Sequence, residues 1–223
     1  MKPNRYTLND LTLERWITGP VQENAFFLFD ANKQGFIIDP GDDGPMLLAR
    51  IREIGMQPRA ILLTHAHFDH IGAVQLLRTE LGIPVWLHAA DMPIYLMGAL
   101  SALKWGVPFE QPEDPDAFLT DGQILECGNI RLEVRLTPGH APGHVVFVGS
   151  GFAISGDTLF KGSVGRTDLP LSDTQTLLSS IQKQLLTLPD DTLVFPGHGS
   201  ETSIGLERQH NRFLQPLDNV SKT

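Results

Sequence analysis

The chain has 223 residues, of which 41% are hydrophobic and 19% charged, and its formal net charge is −9 at pH 7. This composition supports the packed core of a single domain spanning residues 1–223 and argues against bulk disorder. The acidic balance disfavours a nucleic-acid partner, and the single cysteine, Cys127, excludes an intramolecular disulfide and a cysteine zinc site. No apolar run reaches membrane-spanning length, so we expect a cytoplasmic protein without a membrane partner.

The first half of the chain alternates strand and helix patterns. Residues 1–20 contain no motif, and two apolar runs at 25–29 and 36–38 flank a polar turn that predicts a hairpin. Four patterns follow in order: a helical stripe at 46–54, a buried strand at 60–63, a helical stripe at 71–81 and a strand at 84–87. This order implies crossover connections and a sheet covered by helices.

The second half begins with a helical pattern over 89–105 and a surface loop over 106–118. The remaining patterns are an alternating strand at 130–136, short strands at 145–148 and 152–154, a helix at 174–188, a strand at 192–195 and a helix at 204–214. Together the two halves predict an α/β fold in which two mixed β-sheets form a sandwich between layers of helices.

Four residues of metal-binding type lie within six positions shortly after the strand at 60–63. They are His65, His67, Asp69 and His70. Such a group is costly to bury unpaired, and imidazole and carboxylate are the ligands that divalent transition metals accept. On an extended stretch His65 and His67 point the same way and can share one metal, while Asp69 and His70 begin the next helix and suit a neighbouring metal.

Three further candidate ligands follow later strands, each in a glycine-rich turn. They are His140, Asp157 and His198. Ligands at strand ends lie at one edge of a sheet, where a rigid scaffold presents them. We therefore predict two metal sites that share Asp157 as a bridging carboxylate. The first uses His65, His67 and His140, and the second uses Asp69, His70 and His198.

The segment Thr64-His65-Ala66-His67-Phe68-Asp69-His70 resembles the HxHxDH signature of the metallo-β-lactamase superfamily, and the resemblance runs from about Asn24 to Phe213. His140, Asp157 and His198 stand where that family has its remaining ligands. The resemblance implies an αββα sandwich of two mixed β-sheets flanked by helices. Within the superfamily, three segments resemble the hydroxyacylglutathione hydrolases, or type II glyoxalases, in their short bacterial form without a C-terminal helical domain. These segments are 156–160, 165–168 and 196–199.

This resemblance implies a thioester hydrolase that acts on S-D-lactoylglutathione or a similar glutathione conjugate, with a role in methylglyoxal detoxification. It also implies two divalent metal ions, with zinc as the first expectation and iron or manganese accepted by the same ligands. Two such ions lower the pKa of a shared water toward about 7 and provide a hydroxide nucleophile. Asp69, which can orient this hydroxide, and Asp157, which bridges the ions, are the candidate catalytic residues.

The stretch Thr-Pro-Gly-His-Ala-Pro-Gly-His offers two histidines for one ligand position. The resemblance assigns the ligand to His140 and gives His144 a supporting contact to a neighbouring group. Arg166 is a candidate clamp for a substrate carboxylate, with a structural salt bridge to Asp168 as the equal alternative. Phe160 is a candidate for the substrate pocket.

Other residues receive interpretations without a catalytic role. Trp105 and Met97 are further candidates for the pocket, although core packing is the favoured account of Met97. Asp39-Pro40-Gly41 is interpreted as a turn that ends a strand. Two rival activities remain open, a mononuclear-iron persulfide dioxygenase and a lactonase or β-lactamase-type hydrolase of the same superfamily. A non-enzymatic metal-binding protein would require the complete ligand set to be idle.

Overall fold

The computed structural model of the protein describes residues 2–215 and contains two β-sheets packed face to face. One apolar cluster fills the space between the sheets. A second cluster lies between the first sheet and its helices, and a third lies between the second sheet and its helices. The predicted sandwich of two mixed β-sheets between helix layers is therefore confirmed.

The first sheet has seven strands that lie side by side in chain order. They are β1 (Asn4–Leu8), β2 (Leu11–Thr18), β3 (Glu23–Phe29), β4 (Gln34–Ile38), β5 (Gln57–Leu62), β6 (Val85–His88) and β7 (Ala117–Leu119). Strands β1 to β4 run antiparallel, and β4 to β7 run parallel. The predicted hairpin is confirmed as β3 and β4, while β7 occupies the end of the region predicted as a loop.

Strands β1 and β2 lie in a region where the sequence shows no strand pattern. Glu14 and Arg15 interrupt the apolar pattern of β2, yet both side chains are buried. Arg50 donates two hydrogen bonds to Glu14, and Arg15 pairs with Glu201. Because these partners lie far away in the chain, no local pattern could predict that the two charged residues are buried.

The second sheet has six strands in the order β15-β14-β11-β10-β9-β8. Their bounds are β8 (Ile124–Cys127), β9 (Ile130–Leu136), β10 (Val145–Gly149), β11 (Phe152–Gly156), β14 (Leu193–Pro196) and β15 (Thr202–Ser203). Only β11 and β14 pair in parallel. A separate hairpin is formed by β12 (Leu159–Phe160) and β13 (Ser163–Val164).

Seven α-helices connect these strands within residues 2–215. They are α1 (Gly44–Ile54), α2 (Phe68–Ile71), α3 (Val74–Leu81), α4 (Met92–Tyr95), α5 (Gly98–Trp105), α6 (Thr174–Ser180) and α7 (Ile204–His210). A 3-10 turn at Ala89–Asp91 precedes α4, and a π-helical turn at Ile181–Leu185 extends α6. None of the helices in this part of the chain combines the length and apolar character that crossing a membrane requires.

Central strands are buried on both faces because each sheet is covered on both sides. In β3, Phe27 packs into the cluster with α1 and α3, while its neighbour Phe26 packs between the sheets. In β10, Val146 packs against α6, and Phe147 lies between the sheets. This two-sided burial explains why these strands read as continuous apolar runs rather than as alternating ones.

The loops after β5, β9, β11 and β14 come together at one edge of the sandwich. Backbone hydrogen bonds join the two sheets there: Val145 N–H donates to the Thr64 carbonyl, and Asn24 N–H donates to the Gly197 carbonyl, each at 2.7 Å. These bonds fix the relative positions of loops that come from different sheets. The fold therefore gathers the predicted ligand loops on one rigid rim.

Replacing Phe147 by Ala should destabilise the fold through the core between the sheets. Its side chain is fully buried there, so truncation leaves a cavity that costs about 3–5 kcal/mol of unfolding free energy. Urea unfolding of the metal-free protein measures this loss. Phe118→Ala is the matched control, because Phe118 is 53% exposed and its truncation should cost less than about 1 kcal/mol. Equal losses in the two variants would contradict the packing described here.

Candidate metal centre

The first predicted ligand set comes together in the structure. His67 Nδ1 lies 2.9 Å from His140 Nε2, and the His65 ring centroid lies 4.8 Å and 4.9 Å from the other two rings. One ring nitrogen from each histidine lies within 4.8 Å of the others. Three imidazoles at this separation could direct their nitrogens at one common cation.

The second predicted ligand set also comes together, and Asp157 lies between the two sets. His198 Nε2 is 3.3 Å from Asp69 Oδ2, and these atoms lie within 4.8 Å of a His70 ring nitrogen. Asp157 Oδ1 is 3.6 Å from His70 Nε2, while Oδ2 is 3.5 Å from His140 Nε2. One carboxylate therefore reaches both sets, as the bridging role requires.

Buried polar atoms without a hydrogen-bond partner test whether a metal fits. Eight buried side-chain atoms have no partner among the described residues, and three of them lie at this centre: His65 Nε2, His70 Nε2 and Asp157 Oδ1. Such atoms are rare in folded proteins, because each one has lost its contact with water without a replacement. All three belong to the predicted sets, and imidazole nitrogen with carboxylate oxygen is a donor set for divalent cations. The residues present therefore fit a pair of divalent metal ions.

Asp39 orients the histidines of both sets. Its carboxylate accepts hydrogen bonds from the Thr64 N–H at 2.7 Å and the Thr64 hydroxyl at 2.6 Å, and His70 Nδ1 lies 3.1 Å away. A proton on His70 Nδ1 leaves Nε2 free to face the centre. His65 Nδ1 lies 3.0 Å from the Thr64 hydroxyl, which leaves its Nε2 free in the same way.

From the sequence, Asp39 is interpreted only as part of a turn. The structure shows that its carboxylate orients two of the predicted ligands. Its oxygens also lie within 4.8 Å of nitrogens from His65 and His70, but they are already engaged by Thr64 and His70. We therefore assign Asp39 to orientation rather than to metal binding. The signal was present in the sequence, because Asp39 directly follows an apolar strand, as Asp157 follows β11.

His140 and His144 take different positions, as the resemblance implies. His140 Nδ1 donates to the Arg166 carbonyl at 2.8 Å, so its Nε2 is free to face the centre. His144 Nε2 instead accepts from the Asp157 N–H at 3.0 Å, and its Nδ1 lies 3.0 Å from the Thr137 hydroxyl. His144 therefore holds the backbone of the bridging aspartate, and His140 is the histidine directed at the first set.

Asp91 joins two of the ligand loops, a role that no local pattern in the sequence indicates. Its buried carboxylate accepts from the Ala66 N–H at 2.8 Å and the Gly143 N–H at 2.6 Å. Burial raises the pKa of Asp91 to about 6 despite these two bonds. One carboxylate thus connects the loop of His65 and His67 with the loop of His140.

A side chain of the first sheet, Asn24 in β3, holds the loop that carries His198. Asn24 Nδ2 donates to the carbonyls of Pro196 and Gly199 at 2.9 Å each. A Cβ atom on Gly197 would lie 2.3 Å from Asp157 Oδ1, so only glycine lets this backbone pass so close to the bridging carboxylate. A larger residue at position 197, next to His198, would therefore clash with the bridging carboxylate.

The two sets differ in electrostatics. Burial and the neighbouring His140 lower the pKa of His67 to about 3, and burial also lowers the pKa of His65 and His140. Burial alone would lower the pKa of His70 too, but the Asp157 charge and the hydrogen bond to Asp39 raise it well above its usual value. In the metal-free protein the first set is therefore neutral.

His198 and Asp69 form a charged pair in the second set. The hydrogen bond to Asp69 and the Asp157 charge outweigh the burial of His198 and raise its pKa. Burial opposes ionisation of Asp69, but the His198 hydrogen bond and the His70 charge outweigh it and hold the Asp69 pKa below its usual range. The second set therefore carries protons on its imidazoles that a metal ion must displace.

A cleft of about 460 Å³ opens onto the metal-binding side chains. Phe160 and Arg166, the two predicted substrate-binding residues, both line it, as do Trp105 and Met97. Arg166 forms a two-point ion pair with Asp168 at 2.7 Å and 2.8 Å, which was the alternative to a substrate clamp. Met97, assigned to core packing from the sequence, is half-buried and forms part of the cleft wall.

The metal-free protein should lose stability as the pH rises above about 7.5. Histidine in an unfolded chain has a pKa of about 6.5, so above pH 7.5 the buried histidines with lowered pKa values no longer add a slope of opposite sign. His70 and His198 hold protons more tightly when folded, so their contribution is complete below about pH 6.5 and is lost as the pH passes their raised values. We expect the unfolding free energy to fall by about 1.4 kcal/mol per pH unit for each extra proton held. Urea unfolding between pH 7.5 and 9 measures the slope.

His198→Ala is the control for this slope. Burial also raises the pKa of Glu23, and that group adds to the decline with the same sign. Removing the His198 imidazole should therefore make the decline shallower without abolishing it. The account is wrong if the metal-free wild-type protein has a flat or rising stability over this pH range.

Comparison with known proteins supports the same family. The sequence profile of the Metallo-beta-lactamase superfamily matches residues 18–198. The chain is 43% identical over 203 residues to the "Probable metallo-hydrolase YqgX" of Bacillus subtilis, covering 90% of this chain and 96% of that protein. It is 39% identical over 203 residues to the "Hydroxyacylglutathione hydrolase GloC" of Haemophilus influenzae, covering 86% and 93%.

Two crystal structures are similar over nearly their whole length. BLEG-1 B3 metallo-beta-lactamase superposes with a TM-score of 0.86 at 40% identity, covering 92% of this chain and 100% of that one. TTHA1623 in a di-iron-bound form superposes with a TM-score of 0.84 at 44% identity, covering 90% and 99%. Taken with the matched profile, these similarities show that the chain belongs to the metallo-β-lactamase superfamily.

Proposed function

We propose that this metallo-hydrolase cleaves thioesters, with S-D-lactoylglutathione or a related hydroxyacylglutathione as substrate. The observation that carries the proposal is the complete pair of ligand sets with Asp157 between them. The similarity to GloC, which is named a hydroxyacylglutathione hydrolase, supports the thioester as the reacting group. In this reaction water adds to the thioester carbonyl carbon, the C–S bond breaks, and the products are a hydroxy acid and a thiol.

Two divalent ions bound by these residues would lower the pKa of a water to about 7 and polarise the substrate carbonyl. We propose zinc as the metal, with iron as the alternative that the di-iron form of TTHA1623 supports. The imidazoles of the first set are neutral at pH 7, so they are ready to donate their nitrogen lone pairs. Asp157 would hold the two sets at a fixed separation.

Asp69 would orient the nucleophile. Its carboxylate lines the cleft, and its lowered pKa keeps it ionised at neutral pH, when it can accept a hydrogen bond. A group ionised this strongly is a weak base, so we assign Asp69 to orientation rather than to removal of a proton. The leaving thiolate has a pKa of about 8.5 and departs without a strong general acid. The chain therefore needs no serine or cysteine nucleophile.

A second candidate is β-lactam hydrolysis, favoured by the 40% identity to BLEG-1 B3 metallo-beta-lactamase. The same ligand sets could serve an amide carbonyl, but an amine leaves less readily than a thiolate and needs a proton donor. Among the described residues that line the cleft, Lys104 and the paired Arg166 are the only cationic side chains outside the ligand sets. This shortage of proton donors favours the thioester.

Asp157→Ala should reduce hydrolysis of S-D-lactoylglutathione without unfolding the protein. Loss of the bridging carboxylate removes metal-dependent stabilisation of the transition state, so kcat/KM should fall by about 10²- to 10³-fold or more. Thiol release by metal-analysed protein measures the rate, and circular dichroism checks the fold. His210→Ala is the matched control, because His210 is exposed on α7 and lies outside both ligand sets.

Three outcomes would contradict the proposal. A fully active Asp157→Ala enzyme would exclude the shared carboxylate as a functional group. Oxygen consumption with glutathione persulfide, without hydrolysis of any thioester, would identify a dioxygenase instead. Efficient cleavage of a β-lactam in the absence of thioester hydrolysis would favour the second candidate.

A further inference from the structure

The walls of the cleft beside the ligand sets are mainly apolar. Apart from the metal-binding side chains, nine apolar and four polar residues line it. Phe68, Met97, Phe160 and Val164 lie within this wall, and Trp105 stands at its exposed end. A cleft of about 460 Å³ is far larger than the few atoms of a lactoyl group require, and its size falls within the range of sites for drug-sized ligands.

Trp105 is an unusual surface residue. Its side chain is 58% exposed at the end of α5, although a large aromatic ring gains most from burial. The ring centroid lies 6.2 Å from that of Phe68, a buried residue in the same wall. An apolar chain lying in the cleft would cover the open face of Trp105 and continue the contact with Phe68.

Polar groups in the cleft are too few for a peptide-like ligand arm. They are Ser101, Lys104, Ser163 and Arg166. Arg166 is engaged at two points by Asp168, which leaves Lys104 as the one cationic side chain lining the cleft that has no ion pair among the described residues. A glutathione arm has two carboxylates and several amide groups, and burying these groups without partners is costly. The apolar wall therefore suits the other arm of a thioester.

We propose that this cleft binds the acyl arm and that the enzyme prefers apolar acyl groups, aliphatic or aromatic, that are longer than lactoyl. The inference rests on the proposed thioester hydrolysis and specifies its substrate class. The thioester carbonyl lies at the ligand sets, the acyl chain runs along Phe68 and Met97 toward Trp105, and the thiol arm lies outside the apolar wall. Hydrolysis then releases an apolar carboxylic acid and a thiol.

A series of thioesters that share one thiol tests the preference. Metal-loaded protein is assayed with D-lactoyl-, acetyl-, butyryl- and hexanoyl-glutathione. Each buried methylene should raise kcat/KM by about three- to fourfold, so hexanoyl should exceed both acetyl and lactoyl. The same order should hold for N-acetylcysteamine thioesters, because the acyl arm causes it. If acetyl thioesters of longer alkyl thiols show the gain instead, the cleft binds the thiol arm and the inference is wrong.

Trp105→Ala tests whether the apolar wall of the cleft causes the acyl preference. Truncation of this exposed side chain should lower the ratio of hexanoyl to lactoyl kcat/KM by about tenfold, since one apolar wall of the cleft is lost. Leu103→Ala is the matched control, because Leu103 is 73% exposed on the same helix and does not line the cleft. The Leu103→Ala variant should keep the wild-type ratio of hexanoyl to lactoyl kcat/KM.

Binding of the product acid gives a readout that does not depend on turnover. Trp105 lines the cleft and the other two tryptophans, Trp16 and Trp86, do not, so a ligand in the cleft should change the emission of Trp105 directly. Hexanoate should change the fluorescence at lower concentration than lactate, and Trp105→Phe should remove the change. A lactoyl preference over hexanoyl would overturn this inference but leave the proposed function in place. Failure to hydrolyse any thioester would overturn both.

Discussion

The separation between Asp157 and three histidines is the constraint on which the site depends. Its oxygens lie between 3.5 and 3.7 Å from ring nitrogens of His70, His140 and His198. Each of these residues follows a different strand, so the distances hold only if loops from both sheets keep their places. A buried carboxylate and buried imidazole nitrogens are unfavourable when they have neither hydrogen-bond partners nor counter-ions. A pair of cations would satisfy the carboxylate oxygens and the imidazole nitrogens together.

The surrounding residues keep these distances fixed. Asp39 orients His70, and through Thr64 it orients His65. Asp91 connects the loops of the first ligand set. Such contacts hold His65 and His70 with one ring nitrogen directed at the centre and keep the loops of the first set together, which reduces the reorganisation needed when a metal binds. The apolar cleft lies beside these ligands and is lined mainly by side chains that take no part in the ligand sets.

The sequence predicted the features that are local in the chain. Strand, helix and turn patterns placed the sandwich, and the ligand types at strand ends placed the seven side chains that the structure brings together. The sequence could not place Asp91 or Asn24, because their partners are backbone groups of distant loops. It also missed β1 and β2, where Glu14 and Arg15 are buried through ion pairs with residues far along the chain. Roles that depend on tertiary contacts leave no periodic signal in the sequence.

A crystal structure of the metal-loaded protein, with anomalous scattering to locate the ions, tests the central claim most directly. We expect two ions about 3.5–4 Å apart, with Asp157 contacting both. His65, His67 and His140 should contact one ion, and Asp69, His70 and His198 the other. A single ion held by one set, with Asp157 turned away from it, would contradict the account.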